Sequence, residues 1–274
     1  MKLSIITINK NNAIGLEKTI KSVIEQSYSD YEFIVIDGAS NDESIKIIKK
    51  YSTKISYWLS EPDLGIYNAM NKGIKKAIGE YCLFLNSGDW LIDNNTLSAL
   101  FMELSNTEDA GVYYTCCLAT NKVFFKPPEN IDINYLVIHN LNHQNSLIKR
   151  LLFLEHGFYN EDFSIASDYE FWLKEFWLHE TKFKYINTSI AIYDSLGISS
   201  HSNFDHELEG SIRNLFGPLA ESLIKLRHFQ HSLYGSILEN YGYSKLLNFL
   251  LRLSRFLYKI TGKKAKKGMH TYVK

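Results

Sequence analysis

Three aspartates in this chain stand at positions from which a carboxylate could do chemistry. Asp37 and Asp89 each end an apolar run of strand type, Tyr31-Glu-Phe-Ile-Val-Ile-Asp37 and Tyr81-Cys-Leu-Phe-Leu-Asn-Ser-Gly-Asp89, and Asp168 lies in Ala166-Ser-Asp-Tyr-Glu170. In open α/β sheets ligands bind at the carboxyl ends of the strands, so the first two acids would face such a ligand. The three together predict a nucleotide site with a separate base.

Each aspartate also has a structural explanation that the residues alone leave open. Asn-Ser-Gly-Asp is an ordinary turn sequence after a strand, and Asp37 could simply cap the turn that begins at Gly38. An aspartate in the first turn of a helix, as predicted for Asp168, interacts favourably with the helix dipole.

The elements that must position these acids alternate between strand and helix. Strands are predicted at 3–8, 32–36, 56–59 and 81–85, and helices at 16–26, 43–51 and 67–78. Ser40 and Glu43 have the spacing of a capping box at the start of the second helix. Alternation at this spacing predicts an α/β fold with a doubly wound, mostly parallel sheet.

The alternation loosens after Asp89. The predicted elements there are a helix at 96–104, strand-like segments at 112–115 and 123–125, a helix at 168–177 capped by Ser167, and strands at 183–186 and 190–193. From His206 the pattern is mainly helical. We therefore expect a main domain over residues 1–205 and a helical C-terminal extension over 206–274.

Composition excludes some functions. Thirty basic and thirty acidic residues give no net charge, which argues against a nucleic-acid partner because such a protein needs a broad positive surface. Cys82, Cys116 and Cys117 are too few for a disulfide framework. No secretion signal and no apolar run long enough to span a membrane are evident, so we expect a cytoplasmic protein.

The end of the chain is locally basic. Beyond Leu246 eight basic residues meet no acid, and they flank the apolar residues of 246–257. An amphipathic basic helix can lie on an anionic membrane, here the inner face of the plasma membrane. It can equally pack on the main domain with a solvated basic end, and the sequence leaves both open.

Five segments, in order, resemble the pattern of glycosyltransferase family 2, whose members have the GT-A fold. They are Ser4-Ile-Ile-Thr-Ile-Asn-Lys10, Val35-Ile-Asp-Gly-Ala-Ser-Asn-Asp42, Glu61-Pro-Asp-Leu-Gly-Ile-Tyr-Asn-Ala-Met-Asn-Lys-Gly73, Phe84-Leu-Asn-Ser-Gly-Asp89 and Ala166-Ser-Asp-Tyr-Glu170. The resemblance implies a Rossmann-like sheet and an inverting transferase that moves a sugar from a nucleotide diphosphate donor, a UDP-sugar by expectation. The acceptor would be a hydroxyl of a glycan or lipid-linked saccharide, and Mg²⁺ or Mn²⁺ would assist. A dinucleotide-dependent oxidoreductase is disfavoured because no G-x-G-x-x-G follows the first strand.

The resemblance also implies roles for individual residues. Asp168 would be the catalytic base, Thr7 would lie against the uridine, Asp37 would meet the base of the nucleotide, and Asp89 would bind the metal. The implied nucleotide and donor residues are Thr7, Asn9, Asp37, Asp63, Asn71, Lys72, Ser87, Gly88 and Asp89. Those implied near the acceptor or donor sugar are His143, Gln144 and Glu170.

The chain departs from the commoner family pattern in its metal motif. Asn86 and Gly88 stand where further acids would be, and only Asp89 remains. Fewer carboxylates hold a hard cation less tightly, so we expect metal to bind mainly together with the donor phosphates. The thinned motif also raises an alternative, a catalytically silent module that binds a nucleotide sugar or a glycan.

Overall fold

Strands and helices alternate up to residue 84 in the computed structural model, which describes residues 2–121, 123–195 and 205–230. The strands are β1 Leu3–Asn9, β2 Tyr31–Asp37, β3 Tyr57–Ser60, β4 Tyr81–Phe84, β5 Trp90–Leu91, β6 Val112–Tyr114, β7 Cys117–Ala119, β8 Phe124–Phe125, β9 Ser146–Lys149, β10 Phe183–Tyr185 and β11 Ala191–Tyr193. The helices are α1 Ala13–Ile24, α2 Ser44–Lys50, α3 Ile66–Lys76, α4 Thr96–Ser105, α5 Ile133–Ile138, α6 Arg150–His156, α7 Ser167–Trp177, α8 Asp205–Phe216 and α9 Ala220–Gln230. The predicted basic tail lies outside the described residues.

A seven-stranded sheet in the order β10-β6-β9-β4-β1-β2-β3 forms the centre of the molecule. All neighbouring pairs are parallel except the two made by β9, which runs antiparallel to both β4 and β6. The predicted doubly wound, mostly parallel sheet is therefore confirmed. β9 itself was not predicted.

Helices cover both faces of this sheet, which explains why its central strands are apolar at nearly every position. In β2, Phe33 and Val35 point to the side covered by α1 and α4, whereas Ile34 and Ile36 point to the side covered by α3 and α7. Each residue is shielded from water by one layer or the other. The strands are thereby held in place up to their polar carboxyl ends.

A second, four-stranded sheet in the order β5-β11-β7-β8 lies beyond the carboxyl end of β4. β11 pairs antiparallel with β5 and parallel with β7. The pairing of β5 with β11 brings Asp89, which precedes β5, beside Asp194, which follows β11. The strand predicted at 123–125 is present as β8, and β7 was not predicted.

The last described helices pack on the same core as α7. Leu208 and Ile212 of α8 are buried there, and the Phe216 ring lies 5.1 Å from that of Trp177. Arg227 of α9 donates to the carbonyl groups of Val137 and Ile138 at the end of α5. Among the described residues, no helix combines the length and apolar character needed to cross a membrane.

Two predicted helix caps are wrong, and in both cases the serine hydroxyl forms a hydrogen bond with a residue outside the helix instead. The Ser40 hydroxyl donates to Asp37, and Glu43 makes no capping hydrogen bond at the start of α2. Ser167 is the first residue of α7 and accepts the Asn160 N–H at 2.6 Å. Local spacing did not reveal these contacts because both partners lie outside the helices.

Candidate active site

The carboxyl ends of β1, β2 and β3 meet at the buried carboxylate of Asp37. The parallel register places Asn9, Asp37 and Ser60 side by side. Asp37 accepts hydrogen bonds from Asn9 Nδ2 at 2.7 Å, from the Ser40 N–H and hydroxyl at 2.9 and 2.6 Å, and from the Ser60 hydroxyl at 2.7 Å. A carboxylate has about four acceptor positions, and protein donors fill them here. Asn9 Oδ1 is also buried and has no hydrogen-bond partner among the described residues.

Thr7 does not reach this surface. Its side chain is fully buried, and its hydroxyl donates to the Leu85 carbonyl at 2.6 Å, which ties β1 to the end of β4. The Thr7 side chain therefore lies beneath the floor of the site, and the position of Thr7 against a uridine stays a prediction.

The turn after β4 places Asp89 where it is almost fully shielded from solvent. Gly88 has a φ of +106°, a conformation that favours glycine, and its N–H donates to the Thr19 hydroxyl at 3.0 Å. Asp89 is 4% exposed; its carboxylate accepts from Gln144 Nε2 at 3.0 Å and from the Asp194 N–H at 2.8 Å. Burial raises the pKa of Asp89 in spite of these donors. A cation would stabilise this buried charge.

Asp168 begins α7 and is also 4% exposed. Its Oδ1 accepts from the Tyr67 hydroxyl at 3.1 Å and from the Tyr169 N–H at 2.8 Å. Its Oδ2 lies 3.0 Å from His143 Nδ1 and accepts from Asn140 Nδ2 at 3.5 Å. Four groups from three parts of the chain thus orient this carboxylate.

One short 3-10 turn, residues 143–145, connects the two acids. His143 Nδ1 lies 3.0 Å from Asp168 Oδ2. The Nε2 atom of the same ring lies 3.1 Å from Asn86 Nδ2, in the turn before Asp89. The adjacent Gln144 donates directly to Asp89. A proton on Nδ1 lets the ring donate to Asp168 and accept from Asn86, so one neutral tautomer satisfies both contacts. His143 and Gln144 therefore contact the two candidate acids directly, and their place near the acceptor or donor sugar stays a prediction.

The sequence model described as "Glycosyl transferase family 2" matches residues 4–169, more than half of the 274 residues. The chain belongs to glycosyltransferase family 2. An uncharacterised glycosyltransferase of Mycobacterium tuberculosis is 32% identical over 204 residues, which cover 73% of this chain and 77% of that protein.

Two solved structures show the same GT-A fold at low identity. Staphylococcus aureus TarS 1–349 in complex with UDP-GlcNAc has a TM-score of 0.68 and 16% identity, over 90% of this chain and 78% of that one. A mannosyltransferase of Pyrobaculum calidifontis in complex with GDP-Man and Mn²⁺ has a TM-score of 0.61 and 14% identity, over 94% and 87%. The family and the fold predicted from the sequence are both confirmed.

The structure of this glycosyltransferase gives several predicted donor residues other contacts. Asn71 is buried. Its side-chain amide donates to the Tyr159 carbonyl at 2.8 Å and accepts from the Tyr159 N–H at 3.1 Å. Lys72 donates to the Pro62 carbonyl at 3.0 Å and pairs with Glu61 at 2.8 Å. Both side chains therefore fix loops in this conformation, and their contact with the donor stays a prediction.

Asp63 remains at the edge of the β1–β3 site. It pairs with Lys10 at 3.7 Å, and its carboxylate lies directly over Gly38, where a Cβ atom would meet Asp63 Oδ2 at 2.2 Å. Ser87 lies in the turn with Gly88 and Asp89, and its carbonyl accepts from Asn12 Nδ2 at 3.0 Å.

Glu170 makes its contacts away from Asp168, and its place near the acceptor or donor sugar stays a prediction. Residues two apart on a helix face in nearly opposite directions. Glu170 therefore points away from the Asp168 cluster, pairs with Lys174 at 2.8 Å and lines a small cavity beside His156.

Tyr67, Asn140 and Asp194 contact the two acids, although no site role was predicted for them. Tyr67 lies within a family-like segment, which was the available signal. Asn140 and Asp194 come 28 residues before and 105 residues after the acids they contact. No local pattern marks such pairs.

The residues around Asp89 fit a hard divalent cation. Asn86 Oδ1 is buried with no partner among the described residues, and it is the kind of oxygen that Mg²⁺ and Mn²⁺ prefer. The Asp194 carboxylate lies beside Gly88, and its charge also acts on Asp89. These oxygens are few, so a cation there needs further ligands from phosphate and water.

Proposed function

We propose that this glycosyltransferase moves a sugar from a nucleotide diphosphate donor, UDP-linked, to an acceptor hydroxyl with inversion at the anomeric carbon. The observation that carries the proposal is the 143–145 turn, which joins Asp168 and Asp89 in one hydrogen-bonded network. A single-displacement transfer needs a base for the acceptor hydroxyl and a group that stabilises the leaving diphosphate.

Asp168 is the proposed base. As the acceptor hydroxyl attacks the anomeric carbon, its proton must leave, and a carboxylate within hydrogen-bond reach takes it. Three of the groups on Asp168 hold it at 2.8–3.1 Å, whereas Asn140 lies at 3.5 Å. We therefore assign the position held by Asn140 to the acceptor hydroxyl, since that contact is the weakest to displace.

Asp89 is the proposed anchor for the diphosphate side. When bound, Mg²⁺ or Mn²⁺ would neutralise the charge that develops on the leaving diphosphate, so no general acid is required. Asp89, Asn86 Oδ1 and Asp194 would hold it, and Gln144 would keep the Asp89 carboxylate in place. A donor that brings its own phosphate oxygens accounts for the small number of acids in the protein.

The nucleoside is assigned to the polar ends of β1–β3. Asp37 is saturated by protein donors, so it acts there mainly by fixing Asn9, Ser40 and Ser60. The unpartnered Asn9 Oδ1 is an acceptor that the imide N–H of uracil can satisfy. Thymine carries the same imide N–H, so this acceptor fits either pyrimidine, and the choice of uridine rests on the family resemblance.

The single-acid metal motif favours one alternative, a silent module that binds a nucleotide sugar without transferring it. An assay with a panel of UDP-, GDP- and dTDP-sugars, Mn²⁺ or Mg²⁺ and lipid-linked saccharide acceptors distinguishes the two. We expect metal-stimulated release of UDP and a product of inverted anomeric configuration by NMR. Donor binding without nucleotide release from any donor and acceptor pair would support the module, and a product of retained configuration would contradict the mechanism.

A further inference from the structure

Three potential metal ligands meet far from the proposed active site. His156 ends α6, Glu175 lies in the last turns of α7, and His179 follows that helix. One ligand atom from each lies within 4.8 Å of the others, and no second such group of His, Cys, Asp or Glu occurs in the part of the chain that the structure describes. Glu175 is seven residues after Asp168, which places it about 10 Å further along the helix.

The local fold holds these three side chains close together. The rings of His156 and His179 stack with centroids 3.7 Å apart and an interplanar angle of 4°. Glu180, with a φ of +58°, reverses the chain after His179, so that the Thr181 hydroxyl returns to donate to Glu175 at 2.5 Å. His156 Nδ1 lies 2.9 and 3.0 Å from the two oxygens of Glu175.

The ligand chemistry differs from that at Asp89. Two imidazoles and one carboxylate suit Zn²⁺ and similar transition metals, whereas Mg²⁺ and Mn²⁺ prefer oxygen. We propose that His156, Glu175 and His179 form a site for a zinc-class divalent cation, separate from any metal that assists transfer.

The surroundings fit a four-coordinate ion. Zinc bonds of about 2.0–2.2 Å hold ligand atoms roughly 3–4 Å apart. His156 Nδ1 and Glu175 already have such a spacing, so the adjustment of up to about 1 Å falls on His179. His179 is exposed, and its side chain can make this adjustment at the surface. A cavity of about 20 Å³ lies against His156 and Glu175, which is room for one water as the fourth ligand.

The consequence of binding is structural. The ion would join the end of α6 to the end of α7. It would thereby restrain both α7 and the segment 157–166 that connects the two helices. That segment leads into Asp168 and is held by Asn71 and Ser167. Zinc is therefore expected to stabilise the fold and the base-bearing helix, and no part of the transfer chemistry is assigned to it.

Titration of the full-length, metal-free chain with Zn²⁺ or Co²⁺, without nucleotide, tests the proposal. We expect one tight equivalent by calorimetry, a rise in Tm with Zn²⁺, and the visible absorption bands of four-coordinate Co²⁺. His179→Ala and Glu175→Gln should weaken binding by roughly 10-fold or more. His179→Ala is the safer variant because the side chain is exposed.

His228→Ala is the matched control, since His228 also pairs with a glutamate, Glu209, at 2.9 Å but has no third ligand among the described residues near it. It should bind zinc as the wild type does, and so should Asp89→Asn. Equal affinity in wild type and His179→Ala, or no stoichiometric binding in the wild type, would overturn the proposal.

Discussion

At the scale of single residues, the site depends on two neighbours in sequence that serve two different acids. His143 holds Asp168, and Gln144 holds Asp89. Both acids could be proposed from the sequence because each follows or begins a recognisable element. The contacts that orient them could not, because they join residues 25 and 55 positions apart.

His143 is expected to act by positioning Asp168. His143→Ala should lower kcat by about 10²-fold, the effect of misplacing a reacting group by roughly 1 Å, while the KM for donor changes little. His139→Ala is the control, since that ring packs on Tyr135 and Phe125 instead of on the acids. Steady-state kinetics of both variants provide the measurement, and a kcat for His143→Ala equal to that of His139→Ala would exclude the positioning role.

Asp89 is expected to support function at the expense of stability. Its raised pKa means that the folded state holds the proton more tightly than the unfolded state, so its contribution to stability is present at low pH and is lost as pH rises above about 4. Asp89→Asn removes the buried charge. The Gln144 side-chain amide can rotate so that it hydrogen-bonds to the new amide at position 89.

Without metal, Asp89→Asn should therefore raise the Tm at neutral pH and also abolish metal-stimulated transfer. Thermal denaturation from pH 4 to 8 should show that the Tm of the wild type falls further below that of the variant as pH rises. A lower Tm for the variant at neutral pH, or unchanged metal dependence in a folded variant, would contradict the assignment.

At the scale of elements, the early βα units could be predicted and the later ones only in part. Apolar runs of five or more residues bounded by turns identify β1, β2 and β4 and their helices. β9 is four residues long and pairs with strands that precede it by more than 30 residues, so no local periodicity marks it. The 143–145 turn that completes the site immediately precedes this strand.

The start of α7 depends on a contact from α8. Glu207 is 8% exposed and accepts the N–H groups of Ser164, Ile165 and Ala166 at 2.7–3.0 Å. Burial works to raise the pKa of Glu207, but these three donors hold it below its usual value. Its stabilising contribution is present above the unfolded pKa, near 4.3, and is lost as pH falls through the lower folded value.

Glu207→Gln should cost about 1–3 kcal/mol of unfolding free energy, because an amide leaves part of this donor set unsatisfied. Urea denaturation at pH 7 measures it. Glu209→Gln, two residues further along α8 and paired at the surface, is the control and should change stability far less. Equal effects of the two substitutions would show that the Glu207 contact does not hold the start of α7.

At the scale of the whole molecule, charge balance conceals a basic end. The main sheet and its helices explain most of the buried apolar sequence, whereas the basic tail beyond Leu246 lies outside the described residues. Its amphipathic pattern fits attachment to an anionic membrane as well as packing on the main domain. We propose the attachment, which would place the site near lipid-linked acceptors.

Truncation after Tyr243 should release the protein from vesicles that contain anionic lipid. Raising the salt concentration should weaken binding of the intact chain, because exposed charges are screened beyond about 10 Å at 0.1 M. Co-sedimentation with anionic and neutral vesicles measures both effects. Equal sedimentation of the intact and truncated chains would favour a tail packed on the protein.

The most direct test of the account is the rate of sugar transfer by Asp168→Asn. The substitution keeps the shape and most hydrogen bonds but removes basicity, so kcat should fall by about 10²–10⁴-fold while donor affinity stays unchanged. Asp162→Asn, an exposed aspartate in the loop before α7, is the control and should transfer at the wild-type rate. A folded Asp168→Asn protein that transfers sugar as fast as this control would contradict the assignment of Asp168 as the base.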